Sequence, residues 1–140
     1  MNNTEISLVQ SSFAKVAPEA LQVATLFYAR LFELDPSLRK LFPADLTEQG
    51  AKLMAMLGTV VRGLGHLDAI VPAAQALGRR HVGYGVQDSH YATVGAALID
   101  TLRTGLGADF TAEVEGAWVT AYVTLSEVMI EAARTANATN

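Results

Sequence analysis

The sequence predicts an all-α fold, and three observations carry that prediction. Apolar residues recur at three- and four-residue steps along most of the chain, the period of one helix face. No segment shows the two-residue alternation with paired turn signals that a half-buried strand needs. Proline, glycine and N-capping residues fall between the stripes and divide them into helices of ordinary length. At 140 residues, 51% of them hydrophobic, the chain suits one domain with a generous core.

After Thr4, a candidate N-cap, Val9, Phe13, Val16 and Ala17 form the first stripe, which ends near Pro18. Pro18 is expected to open a second helix carrying Leu21, Ala24, Phe27, Tyr28, Leu31 and Phe32. Asp35-Pro36 reads as N-cap and first-turn proline of a short helix that ends at Leu41-Phe42, before Pro43. Leu46, Leu53, Leu57, Val60, Val61 and Leu64 mark a long helix ending at Gly65, with Gln49 four residues before Leu53 at the edge of the stripe. Leu67 to Val71 reads as a connecting turn or short helix interrupted by Pro72, and His66 as a solvated residue in that corner.

From Pro72 to Val82 runs a helix that places Leu77 and His81 on one apolar face, four residues apart. Gly83 and Gly85 offer stops, and Asp88 offers the N-cap of a helix bearing Tyr91, Val94, Leu98, Ile99, Leu102 and Leu106. That helix should stop around Gly105 and Gly107, after which Thr111 caps the last one. Glu113 and Glu115 suit its first turn, and Val114, Trp118, Tyr122, Leu125 and Met129 share one face as far as about Arg134. Residues 135–140 are expected to fray, and residues 1–140 to form a single domain.

Composition narrows the function classes. A net charge of −4 argues against nucleic acid, whose binding is driven by clustered Lys and Arg. No stretch free of charged residues exceeds eleven residues, against the ~18 that a membrane-spanning helix requires. No export signal opens the chain and there is no cysteine, so a cytoplasmic location is expected. Asp88-Ser89-His90 holds the three hydrolase residue types, but neighbours at a helix start point in different directions and cannot converge as a triad. Gly63-Leu64-Gly65 and Gly83-Tyr84-Gly85 follow no strand, so they read as helix endings rather than phosphate cradles. His-Glu-x-x-His, cysteine pairs and carboxylate–histidine clusters are all missing, which removes ordinary zinc, iron–sulfur and di-iron sites.

What survives is an ordered set on successive helices and corners: Tyr28, Phe42, Gln49 with Leu53, and His81. Two long helices could hold a planar macrocycle between them, His81 on one face and Gln49 with Leu53 on the other. The chain resembles the globins over the whole fold, and most closely bacterial single-domain haemoglobins, the haem domain of flavohaemoglobins, and neuroglobin. The resemblance rests on Leu26-Phe27-Tyr28, Leu41-Phe42, Gln49 with Leu53, Leu77-Gly78-Arg79-Arg80-His81, Gly85-Val86, Tyr91 with Val94-Gly95, and Phe110-Thr111 followed by Ala117-Trp118.

The resemblance implies a globin fold, a helical sandwich around haem b with a short or absent helix between the corner at Phe42 and the Gln49 helix. It implies His81 as proximal iron ligand, Phe42 packed on the porphyrin, and Gln49 and Tyr28 as the polar groups facing bound oxygen. Leu53 and Leu57 would line the haem on the distal helix; Leu77, Val86, Tyr91, Val94 and Leu98 would line the proximal side. Lys52 would match a position that reaches a haem propionate. Glutamine replaces the distal histidine of neuroglobin at Gln49, so an open sixth iron position is expected. Ala133 stands where flavohaemoglobins keep a glutamate that polarises the proximal histidine, and Glu131 lies about 200° around the helix from it. The implied function is reversible binding of oxygen, and of NO and CO, for storage or delivery. The alternatives are nitric oxide dioxygenation with a separate reductase, since the chain holds no flavin domain, or haem-based redox or gas sensing.

Overall fold

The structure, a computed structural model, describes residues 2–42, 44–83 and 88–139, with the side chains of residues 67, 81–83, 88 and 135–139 outside the description. Helix α1 (Asn3–Val16) is capped by Asn2 rather than Thr4. The Asn2 carboxamide oxygen accepts the Glu5 N–H at 2.8 Å, and the Glu5 carboxylate accepts the Asn2 N–H at 3.1 Å. This reciprocal box satisfies two amides where Thr4 could satisfy one, which moves the helix start back.

Pro18 lies in a 3-10 turn, Ala17–Glu19, and α2 (Ala20–Leu34) follows. Val23, Ala24, Phe27, Tyr28 and Leu31 point inward, whereas Leu21 is 67% exposed and does not belong to the stripe. Leu21 lies about 200° around the helix from Val23, which takes the inward place one turn before Phe27. The Asp35 side chain accepts the Ser37 N–H at 3.1 Å and starts a 3-10 helix, Pro36–Leu41. Among the described residues no helix separates it from α3 (Thr47–Arg62).

A 3-10 turn, Leu64–His66, with His66 exposed, leads into α4 (Leu67–Gly83). The expected break at Pro72 does not occur: α4 continues through it. Proline there removes only the bond that residue 72 would give Asp68, and α4 lies along α6 in the most extensive helix pair of the fold. Tertiary support outweighs one lost bond. Helix α5 (Asp88–Leu106) stops before Gly107, whose φ of +56° is left-handed. The Thr111 hydroxyl accepts the Val114 N–H at 3.2 Å and caps α6 (Ala112–Thr139), which runs past Arg134 to Thr139. The Asp88 side chain, the expected cap, and the stop expected at Gly85 lie outside the description.

Helix α2 packs on α5 and α3, and α1 packs on α6. The buried Trp118 indole N–H donates to the Ser12 hydroxyl at 2.8 Å, and that hydroxyl donates to the Leu8 carbonyl at 2.7 Å. Removing the Ser12 hydroxyl leaves the indole N–H buried without a partner. Ser12→Ala is expected to cost about 1–3 kcal/mol in urea unfolding of the haem-loaded protein; an unchanged midpoint would mean the bond contributes nothing.

Candidate functional site

Residues expected to face a gas ligand come together where α2, the corner after the 3-10 helix, and the first turn of α3 meet. Tyr28 is 5% exposed. Its ring meets Phe42 edge-on at 5.5 Å and stacks on Phe32 at 6.1 Å, while Phe32 and Phe42 meet at 5.6 Å. Two neighbouring rings, themselves in contact, therefore fix the phenol's direction. Its hydroxyl donates to the Gln49 backbone carbonyl at 3.4 Å, a long bond that is readily exchanged for a better acceptor. Burial pushes the Tyr28 pKa up to about 12, so the hydroxyl keeps its proton, and its capacity to donate, far above neutral pH.

Gln49 is half buried at the start of α3, and its side-chain amide has no hydrogen-bond partner among the described residues. Leu53 and Leu57 follow at four-residue steps and are also half buried. Lys52 is exposed and pairs with Glu48 at 3.3 Å, one turn back on α3. So exposed a pair is weak and leaves the ammonium available to another anion.

Arg39 was not singled out from sequence, yet it secures the corner. Its guanidinium donates to the Phe42 carbonyl at 3.3 Å and the Ala44 carbonyl at 3.0 Å, and lies 5.3 Å over the Phe32 ring. A basic residue three before a corner aromatic is the sole sequence signal, and it is common to many helix ends.

On the other side, Leu77 on α4 and Val94 on α5 are half buried, and Tyr91 and Leu98 are buried. The Tyr122 hydroxyl of α6 donates to the Tyr91 carbonyl at 2.5 Å, and burial raises its pKa with a smaller contribution from Tyr91. The backbone of His81 lies in the last turn of α4; its side chain, like all of Val86, lies outside the described residues. Ala133 is buried and Glu131 exposed. Among the described residues, no ring contact or hydrogen bond joins Tyr28, Phe42 and Gln49 to this second group.

Helix α2 links the two groups, packing on both α3 and α5, while α4 rests on α6. Half-exposed Phe42, Leu53, Leu57, Leu77 and Val94 leave apolar surface for a flat apolar group, and Tyr28 and Gln49 carry donor groups beside Phe42 and on the helix of Leu53 and Leu57. These residues fit haem.

The globin family model matches residues 25–129. The chain belongs to the globin family. This globin is 27% identical over 134 residues, or 94% of its length, to a flavohemoprotein of Vibrio cholerae. It is 31% identical over 134 residues, or 93% of its length, to a flavohemoprotein of Bordetella parapertussis. It spans about a third of each relative, 34% and 33%. Among solved structures, an engineered carbene transferase and candidate nitric oxide dioxygenase from Rhodothermus marinus superposes with a TM-score of 0.88 at 26% identity. That superposition covers 99% of this chain and 97% of the other. The all-α globin fold and a haem- and gas-binding role follow from family membership. No described helix is long and apolar enough to cross a membrane.

Proposed function

We propose that this globin holds haem b through His81 and binds oxygen reversibly beneath Tyr28 and Gln49, as a cytoplasmic oxygen-binding protein for storage or delivery. The observation that carries this reading is the buried Tyr28 phenol, locked by Phe32 and Phe42 and spending its proton on only a 3.4 Å bond to Gln49. Haem held by His81 would supply the iron that takes up a diatomic gas. The chain supplies the rest. Tyr28 keeps its proton on the phenol oxygen and offers it to the partly negative end of a gas ligand, and the Gln49 amide offers a second donor. Phe42, Leu53 and Leu57 exclude the water that would compete for both. Leu77, Val86, Tyr91, Val94 and Leu98 line the proximal wall behind His81, and Lys52 reaches a propionate.

The reading is tested by absorption spectra of the ferric, reduced and oxygenated protein, followed by oxygen release from Tyr28→Phe and Gln49→Leu. With each distal hydrogen bond contributing ~1–2 kcal/mol, each substitution should speed release roughly 5- to 30-fold. The proposal fails if both variants release oxygen at the original rate.

The flavohemoprotein relatives and the Rhodothermus neighbour favour a second reading, nitric oxide dioxygenation. Combining one NO with one oxygen molecule to make nitrate consumes one electron, which a separate reductase would deliver. Sustained nitrate formation with a cellular reductase, far above the rate of autoxidation, would favour this reading over storage.

A further inference from the structure

Tyr28 is only weakly held through its own polar group. Among the described residues its hydroxyl makes a single hydrogen bond, the 3.4 Å bond to the Gln49 carbonyl, and at that length the bond does little to direct the phenol. Ring packing has to do so. Phe27, 5.2 Å away, is buried and held by the core on its own account. Phe42 at 5.5 Å and Phe32 at 6.1 Å are half buried and need a further support.

One side chain supplies it to both. Arg39 stands in the 3-10 helix Pro36–Leu41, where its backbone carbonyl accepts the Phe42 N–H at 3.2 Å and its guanidinium donates to the Phe42 carbonyl at 3.3 Å. A second nitrogen of the same guanidinium donates to the Ala44 carbonyl at 3.0 Å, so the corner is tied at two points. The guanidinium carbon also lies 5.3 Å from the centroid of the Phe32 ring. Donating from two nitrogens while lying over an aromatic ring is arginine chemistry: lysine has neither the fork nor the plane. The Tyr28 hydroxyl lies at the far end of the phenol from the bonds about which the side chain turns. It therefore travels furthest when Phe32 or Phe42 gives way, and a hydrogen bond weakens steeply as it loses alignment.

We propose that Arg39 is a positioning residue for the gas site: by holding the Phe42 backbone and the Phe32 ring together it keeps the Tyr28 hydroxyl aimed, and so slows the release of bound oxygen. The proposal rests on the reading that Tyr28 donates to that oxygen.

Arg39→Met keeps a long unbranched side chain and removes the donors and the planar cation. Oxygen release from the haem-loaded variant should quicken by about threefold, short of the effect of Tyr28→Phe. The C–O stretch of the CO complex reports the donor facing the gas, and it should move to higher frequency. Arg39→Lys, which keeps the charge, should fall between, and it replaces the methionine variant if that chain takes up no haem. In a Tyr28→Phe background Arg39→Met should add nothing, because the group it positions is gone. Overturning results are an unchanged rate and stretch, equal acceleration in both backgrounds, or a lowered melting temperature with the stretch unmoved, which is the mark of a merely structural arginine. Should Tyr28→Phe itself release oxygen at the original rate, the reading of the site fails, and NMR contacts of the Tyr28 ring decide the positioning alone: their loss in Arg39→Met upholds it, and intact contacts to Phe32 and Phe42 overturn it.

Discussion

His81→Ala is expected to abolish haem retention at neutral pH, with loss of the Soret band from the purified protein and its recovery on adding free imidazole. Neutral imidazole is a strong iron ligand, and nothing else on the apolar face of α4 around Leu77 could take its place. Recovery with imidazole distinguishes a missing ligand from a chain that fails to fold, because only a preserved pocket can use it. Full retention of haem with an unaltered spectrum would remove His81 from the proposal.

Gly78→Ala is expected to destabilise the protein and speed haem loss, although alanine is the better helix former by about 1 kcal/mol. At Gly78 a Cβ would stand 2.7 Å from the Cα and 2.9 Å from the carbonyl carbon of Met129, both backbone atoms of α6. Backbone cannot turn aside as a side chain can, so α4 must move away from α6, at an overpacking cost of typically 1–3 kcal/mol. A net cost of even 1 kcal/mol lowers the melting temperature of a chain this size by about 3 °C. His81 follows three residues later, so the displacement carries into the proximal wall. Thermal unfolding and haem transfer to an acceptor apoprotein measure both effects. Gly65→Ala is the control, since a Cβ there meets nothing within 4 Å; equal losses in the two variants would show that the crossing at Met129 is not the cause.

Much of the architecture was readable in sequence because it is local. Stripes at helical spacing match the inward faces of α2, α5 and α6, whereas in α3 the buried residues are Gly50, Met54, Gly58 and Val61 and the expected Leu53 and Leu57 stay half buried; Asp35 and Thr111 act as the caps their positions suggested. Tyr28, Phe42 and Gln49 were legible as an ordered set, and their rings and backbone do meet. What escaped depends on partners distant in the chain. Pro72 reads as a break until α6 is present to support the helix around it. Gly78 carried no signal of its own, because its significance is the approach of Met129. Arg39 binds carbonyls whose positions depend on the path of the corner it stabilises, so its role cannot precede the fold. Leu21 shows the limit of spacing alone: it fits the three- and four-residue steps of the stripe, yet packing turns Val23 inward and leaves Leu21 exposed.

The reliance of α4 on α6 also sets an order of assembly. Chains fold progressively as they are synthesised, and α6 is made after every other described helix. The aromatic corner and α3 draw their support from α1 and α2, so this half of the pocket can form early. The α4 half waits for α6. During synthesis the protein would therefore present an apolar half-pocket before it has the wall that carries His81. Haem capture would then follow the docking of α6, and the apolar surface of the α3 side would stand open until that point.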